Sequence, residues 1–385
     1  MRFEVQISNQ TSSARWEINS DGSNPHRLLA DWHNPPSECC GDWTPDGRYF
    51  VFISRSASGA NVWALREPAL LRRASVPLQL TTGPMSFHAL TPSTDGRKLF
   101  VAASQGRGEL VRYDPKAAQF VPYMSGVSAG ELDFSRDGKW VVYASYPDGA
   151  LWRSQVDGSD RLQLTYPNGV DGLPRWSPDG SQIAYVSLRT GLPLKIFVVS
   201  VQGGAPQEVS VDSRTQLDPT WSPDGKKLAF GGNDAARGGG AIYVVDVATH
   251  QASVIPGSEG LFSPRWSPDG QYMAALTQDS SKIMQFNFKT QKWSLWINEP
   301  GAIGFPNWSV DSKYLYFDTQ FIKNASFRRV RAGQTRSELV ADLNAVHRYN
   351  QAPAFGWCGL APDGSALFVR DLTTDEIYAL ELELP

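Results

Sequence analysis

The pentapeptide Trp-Ser-Pro-Asp-Gly stands verbatim at Trp176–Gly180, Trp221–Gly225 and Trp266–Gly270. Weaker copies begin at Trp43, Phe134, Trp308 and Leu360, and a padded copy runs from Leu90 to Gly96. Their aspartates are Asp46, Asp95, Asp137, Asp179, Asp224, Asp269, Asp311 and Asp363, at successive spacings of 49, 42, 42, 45, 45, 42 and 52 residues. A period in the forties requires a repeat architecture. Within each copy Pro presets φ, Asp bonds the backbone ahead of it, and Gly tolerates positive φ, so the stretch reads as a strand end and tight turn. Eight copies of one aspartate are turn formers rather than catalysts.

Apolar strands follow each turn, such as Ile183–Val186, Leu228–Phe230 and Tyr314–Phe317, and a second strand follows a polar loop, such as Ile196–Val201 or Ile242–Val247. A weaker third strand comes next. Runs like Ile196-Phe-Val-Val are apolar at consecutive positions, which suits sheets covered on both faces. Four-stranded units of this length make an all-β propeller. An open solenoid is the other arrangement, but its repeats are usually shorter. Residues 1–30 lack a Pro-Asp-Gly turn, and 355–385 lack a fourth strand. The expected ring therefore spans 1–385 as one domain, with seven complete repeats over 40–340 and a last repeat at 355–385. Strands of residues 1–30 are expected to complete that last blade and remove its open edge. Eight blades are expected, with seven as the alternative.

The repeats resemble those of the TolB family, the WD40-like, Pro-Asp-containing (PD40) type. Gln182-Ile-Ala-Tyr185 and Lys227-Leu-Ala-Phe230 fit the signature that follows the pentapeptide. The chain is also similar to the C-terminal propellers of bacterial membrane-anchored regulators that carry a winged-helix or kinase domain. That resemblance implies a binding or scaffolding module of an envelope protein, placed outside the cytoplasm, with a protein, peptide or glycan ligand. Because residue 1 falls inside a repeat, the chain is expected to be part of a longer protein.

Charge narrows the partners. Net charge is −3 and the isoelectric point about 6.0, which argues against a nucleic-acid surface. No apolar run approaches a membrane span, and no signal-peptide stretch opens the chain. A monomer with no resident cofactor is expected. Three cysteines, Cys39, Cys40 and Cys358, are no disulfide framework; a bond from Cys358 to one of the others is one possibility, and three buried thiols the other.

Function on a propeller sits in its long loops. The longest expected are Leu29–Asp42, Thr81–Thr91, Gly231–Ala241 and Ala341–Gly356. A ligand-binding mouth on that face would include Trp32, His33, Phe87, His88, Arg107, Arg189, His347 and Tyr349. His33, His88 and His347 fall in successive blade-to-blade loops, where three imidazoles could share a divalent metal. A metal-dependent carbohydrate lyase or hydrolase is therefore the enzyme alternative, although no His-x-His or His-x3-His spacing supports it. Arg175, Thr220, Arg265 and Asn307 precede the anchor position, where they would line the channel or pair with the turn aspartates. Gly126-Val-Ser-Ala-Gly130 matches Gly-x-Ser-x-Gly, but a strand follows it instead of the helix a nucleophile elbow needs.

Overall fold

Each Pro-Asp-Gly copy builds the same local structure. Ser177 Oγ donates to Asp179 Oδ1 at 2.6 Å, and the same hydroxyl accepts the Gln182 N–H at 2.9 Å. Asp179 Oδ1 also accepts the Ser181 N–H at 3.0 Å. The pattern recurs at Ser222–Asp224, Ser267–Asp269, Ser135–Asp137, Ser309–Asp311, Ser93–Asp95 and Thr44–Asp46. Hydroxyl and aspartate thus start an antiparallel hairpin in seven of the eight repeats, followed by a positive-φ glycine in six of these and by Ser312 in the seventh; the Leu360 copy has Ala361 at the hydroxyl position.

The computed structural model describes residues 1–6, 13–30, 32, 37–56, 59–67, 76–166, 169–189, 192–210, 212–234, 239–320, 323–348 and 356–384. Apart from a 3-10 turn at Leu343–Ala345, the regular structure among them is strand. Where one domain over 1–385 is expected, the contacts divide the chain into two compact units. Unit 1 is Met1–Arg107, Arg189–Leu192 and Leu372–Pro385, and unit 2 is Gly108–Leu188 and Pro193–Asp371.

Unit 1 holds three sheets. The first is β1 (Arg2–Gln6), β2 (Ser13–Glu17) and β3 (His26–Arg27). The second is β4 (Glu38–Trp43), β5 (Tyr49–Ser56), β6 (Gly59–Arg66) and β7 (Leu78–Gln79). In the third, β8 (Ser86–Pro92) pairs with β9 (Lys98–Gln105), which pairs with the far C-terminal strand, residues Thr374–Glu381. Val51, Ile53, Val62, Leu99 and Val101 pack between the second and third sheets.

Unit 2 holds six four-stranded sheets. Its sequence opens with β10 (Gly108–Asp114) and β11 (Gln119–Pro122). The first blade follows as β12 (Ala129–Phe134), β13 (Trp140–Ser145), β14 (Leu151–Gln155) and β15 (Leu162–Gln163). The second is β16 (Val170–Trp176), β17 (Gln182–Leu188), β18 (Lys195–Ser200) and β19 (Gln207–Glu208). The third is β20 (Thr215–Trp221), β21 (Lys227–Asp234), β22 (Gly239–Asp246) and β23 (Ala252–Val254). The fourth is β24 (Leu261–Trp266), β25 (Tyr272–Thr277), β26 (Lys282–Asn287) and β27 (Lys292–Asn298). The fifth is β28 (Ala302–Trp308), β29 (Tyr314–Gln320), β30 (Ser326–Arg331) and β31 (Ser337–Asp342). The sixth joins β32 (Cys358–Leu360) and β33 (Ala366–Asp371) to β10 and β11, leaving β34 (Thr374–Glu381) to unit 1.

Every neighbouring pair of these blades shares a buried apolar layer. Val142, Leu151 and Ile183 join the first to the second, and Val186, Ile196 and Phe230 the second to the third. Ile242, Met273 and Phe286 join the third to the fourth, and Leu276, Leu315 and Phe317 the fourth to the fifth. Phe327 and Phe368 join the fifth to the sixth. Leu110, Val141 and Leu367 join the sixth back to the first, which closes the ring. Each fully buried side chain of this size is worth about 1.5–3 kcal/mol.

The closing strands differ from those expected. Residues 1–30 do not complete the C-terminal blade; β10 and β11 do, with Leu110 opposite Val369 and Val111 opposite Phe368. Two residues separate β9 from β10, which reads as a hairpin, yet the strands part into different sheets. Gly108 permits this: a Cβ there would lie 2.8 Å from the Ala129 carbonyl oxygen of the first blade. Ser128 completes the seam, accepting the Gly108 N–H at 3.1 Å and donating to the Tyr146 carbonyl at 2.8 Å. Both hydrogen-bonding roles of its hydroxyl are used in the seam. The loop expected at Gly231–Ala241 is largely strand, since Gly231–Asp234 pairs with Gly239–Ile242. The three cysteines are free thiols.

Candidate functional site: a funnel at the turn face of the ring

Four inner strands of unit 2 share a register break just before the anchor residue, at Gly172/Arg175, Leu217/Thr220, Phe262/Arg265 and Gly304/Asn307, and β12 breaks earlier, at Ala129/Glu131. Leu173, Asp218, Ser263 and Phe305 sit in these bulges at φ of 51°, 53°, 51° and 42°. Each precedes a proline, which donates no ladder bond and so suits a bulge. The left-handed turn brings the residue after the proline, Arg175, Thr220, Arg265 or Asn307, to the wall of a central cavity.

That cavity, about 730 Å³, lies within unit 2 on the side of the Pro-Asp-Gly turns. Trp176, Trp221, Trp266 and Trp308 line it together with the turn prolines. The indoles also tie blades together. Trp176 Nε1 donates to the Asp133 carbonyl at 3.2 Å, Trp221 Nε1 to the Arg175 carbonyl at 3.1 Å, and Trp308 Nε1 to the Arg265 carbonyl at 3.0 Å. Trp266 Nε1 is buried without a partner. The anchor tryptophan thus latches one blade to the one before it while presenting ring surface to the funnel.

A charged set sits at the funnel floor. Arg265, 4% exposed, donates from Nη2 to Asp218 Oδ1 at 3.0 Å and from Nη1 to the Pro264 carbonyl at 2.8 Å. Its Nε is buried without a partner. Burial lowers the Arg265 pKa, opposed mainly by the Asp218 charge. Asp133 Oδ2 accepts the Trp176 N–H at 2.8 Å; burial raises its pKa, and Arg175 opposes the rise. Behind them Glu131, 1% exposed, accepts the Leu173 N–H, and its Oε1 has no partner. Burial pushes Glu131 up to about 7. Pre-anchor residues therefore line the channel as the spacing suggests. None of them pairs with a turn aspartate; those are occupied by their own Ser or Thr hydroxyls, which hold Asp137, Asp179 and Asp224 below the usual carboxylate range.

The described residues expected at a loop-face mouth are divided between the two units. Phe87 is 2% exposed in the unit 1 core, because β8 places it opposite Ala103 on the packed face. Trp32 packs edge-on against Trp63 at 4.7 Å and Phe52 at 5.6 Å. His88 is exposed on β8, 3.4 Å from Ser104 Oγ. Arg107 receives the Leu372 N–H on its carbonyl within unit 1, and Arg189 likewise receives that of Leu192. In unit 2, His347 is exposed, and its carbonyl accepts the Asp371 N–H. His33 and Tyr349 lie outside the described residues. Among the described residues no three His, Cys, Asp or Glu side chains are grouped to hold a metal ion, and no helix is long and apolar enough to cross a membrane.

Known proteins agree with the propeller. Residues 77–259 match the family model described as TolB beta propeller domain. A stretch of 144 residues, 37% of the chain, is 28% identical to the uncharacterized peptidase YuxL of Bacillus subtilis and covers 20% of it. A 56-residue stretch is 41% identical to the Tol-Pal system protein TolB of Syntrophus aciditrophicus, covering 14% of this chain and 12% of that protein. The chain thus spans far less than two thirds of these relatives. A solved structure assigned as TolB, from Agrobacterium tumefaciens, superposes with a TM-score of 0.55 at 18% identity, over 69% of this chain and 99% of the other. The blades over residues 77–259 thus match TolB-type β-propeller repeats.

Proposed function

We propose that the chain is a non-catalytic binding propeller and that the turn-face funnel of unit 2 seats its ligand, a segment of a partner protein in an extracytoplasmic compartment. The observation that carries this reading is the funnel itself: indole and proline surface above, a buried arginine and carboxylates below. Aromatic walls with a few fixed polar groups at the base suit a protein segment, whose apolar side chains and backbone can be met together. The likeness to TolB repeats, one of them in a protein named for the Tol-Pal system, supports a protein ligand.

Photo-cross-linking tests it. Val310 is 69% exposed and lines the funnel. A photoreactive phenylalanine analogue at Val310 is expected to capture a discrete envelope protein. The same analogue at Val76, 83% exposed in unit 1, serves as the control. Equal labelling from both positions, or none from Val310, overturns the reading.

A further inference from the structure

Sheets are vulnerable at their outer edges, where backbone N–H and C=O groups face away from any partner strand. Most sheets here end in outer strands of two to four residues: β7, β11, β15, β19 and β23. The longer outer strands β27 and β31 each carry a register break, between Ile283 and Met284 and between Phe327 and Arg328 of the strands they pair with. Short strands and bulges are both ways of blunting an edge. β34 has neither protection. It is eight residues long, pairs with β9 in unbroken register from Thr374↔Gln105 to Glu381↔Lys98, and ends a sheet of only three strands.

The free side can be read residue by residue. Leu382 N–H donates to the Arg97 carbonyl and Leu372 N–H to the Arg107 carbonyl. In an antiparallel ladder the donating positions alternate, so even-numbered residues of β34 point their backbone groups at β9. Asp375, Ile377, Ala379 and Glu381 therefore turn their N–H and C=O groups outward. Among the described residues nothing pairs with them. Their side chains share one face of the sheet, where Ile377 is 79% and Phe100 41% exposed.

We propose that β34 accepts an added β-strand from a basic partner peptide. Charge disfavours the other simple occupant, a second copy of this chain, since both strands would be acidic. Antiparallel self-pairing centred on Tyr378 would set Asp375 opposite Glu381 twice, and like charges directly opposite are destabilising. From Thr374 to Glu381 the strand carries Asp375, Glu376 and Glu381 and no basic residue. The acids at 375 and 381 flank the apolar Ile377 and Ala379 on the exposed face. A complementary strand is extended, with Lys or Arg at its ends and Val or Ile between at alternate positions. Main-chain bonds would supply the affinity and these side chains the specificity.

The probe is a fluorescein-labelled heptapeptide, Lys-Thr-Val-Thr-Val-Thr-Lys, titrated with the full chain by fluorescence anisotropy. Saturable binding is expected, and weaker binding of the same peptide with Glu in place of Lys. Ala379→Pro removes an outward N–H and leaves the β9 ladder intact, since proline is tolerated on edge strands. It should weaken binding by about tenfold, as expected for one or two lost backbone bonds. Asp375→Lys with Glu381→Lys should reverse the preference toward the Glu peptide, and circular dichroism should show both variants folded. No saturable binding, equal binding by Ala379→Pro, or an unchanged charge preference overturns the proposal. A concentration-dependent dimer that Ala379→Pro abolishes also overturns it, in favour of self-pairing.

Discussion

Units 1 and 2 use the same turn and hairpin but end differently. In unit 2 the anchor Trp221 is 7% exposed, and its indole reaches the preceding blade. In unit 1 the matching Trp43 is 40% exposed, resting on Phe50 with the Arg2 guanidinium 5.3 Å from its ring. The pentapeptide makes a hairpin anywhere; its tryptophan becomes a latch only where the inner strand of the preceding blade offers its indole a carbonyl. Closure, more than the motif, turns a turn signal into a load on the core.

That contrast can be broken most directly at the tryptophans. Trp221→Ala is expected to cost about 3–5 kcal/mol, as for a buried aromatic, and Trp43→Ala about 1 kcal/mol, as for a half-exposed ring with one cation–π neighbour. Denaturant unfolding followed by circular dichroism measures both, and equal losses would refute the latch. Asp218→Ala leaves the Arg265 guanidinium buried and unpaired and should cost about 3 kcal/mol; Asp218→Asn, retaining an acceptor, should cost less.

A pH scan sharpens the comparison further. Glu131 in unit 2 and Glu38 in unit 1 are both buried carboxyls that accept a backbone N–H from a neighbouring sheet, and burial raises both pKa values. For Glu131 the rise runs from an ordinary 4.5 to about 7. Between those values the folded state binds more protons than the unfolded one, so stability falls as pH rises across the window. The expected loss is on the order of 2–3 kcal/mol, and Glu131→Gln should flatten that part of the profile. The smallest effect is expected at a turn: Ser177→Ala removes the hydroxyl that donates to Asp179 and accepts the Gln182 N–H, and should cost about 1 kcal/mol. Asp179 is held below its ordinary value chiefly by that hydroxyl, so its stabilisation is present at neutral pH and lost as pH falls through the lowered value. Acid unfolding of Ser177→Ala should show a smaller loss over that range.

Much of this is written locally in the chain. Pro-Asp-Gly and the apolar runs after it specify hairpins, because turn chemistry and side-chain alternation act over a few residues. The channel residues Arg175, Thr220, Arg265 and Asn307 are legible for the same reason: they hold one place in the repeat. The closing seam is not legible, because Gly106-Arg107 looks like any two-residue hairpin loop and only the distant β33 reveals where β10 belongs. The bulge has a signature of its own, a residue-Pro pair ending two places before the anchor Trp, as in Leu173-Pro174 and Phe305-Pro306. Phe87 shows the converse difficulty: an aromatic beside a loop looks like a ligand contact until strand alternation turns it inward.

The seam at Gly108↔Asp371 has a consequence for biosynthesis. Ser104 meets Asp375 across 271 positions of chain, and all six blades of unit 2 are made between them. As the chain leaves the ribosome, β9 must wait with one edge bare until the last blade has been made. Such long-range pairing is slow and leaves strand edges exposed meanwhile. The strand that arrives last to cover β9 is the acidic β34, and its carboxylates would discourage nascent copies from joining edge to edge.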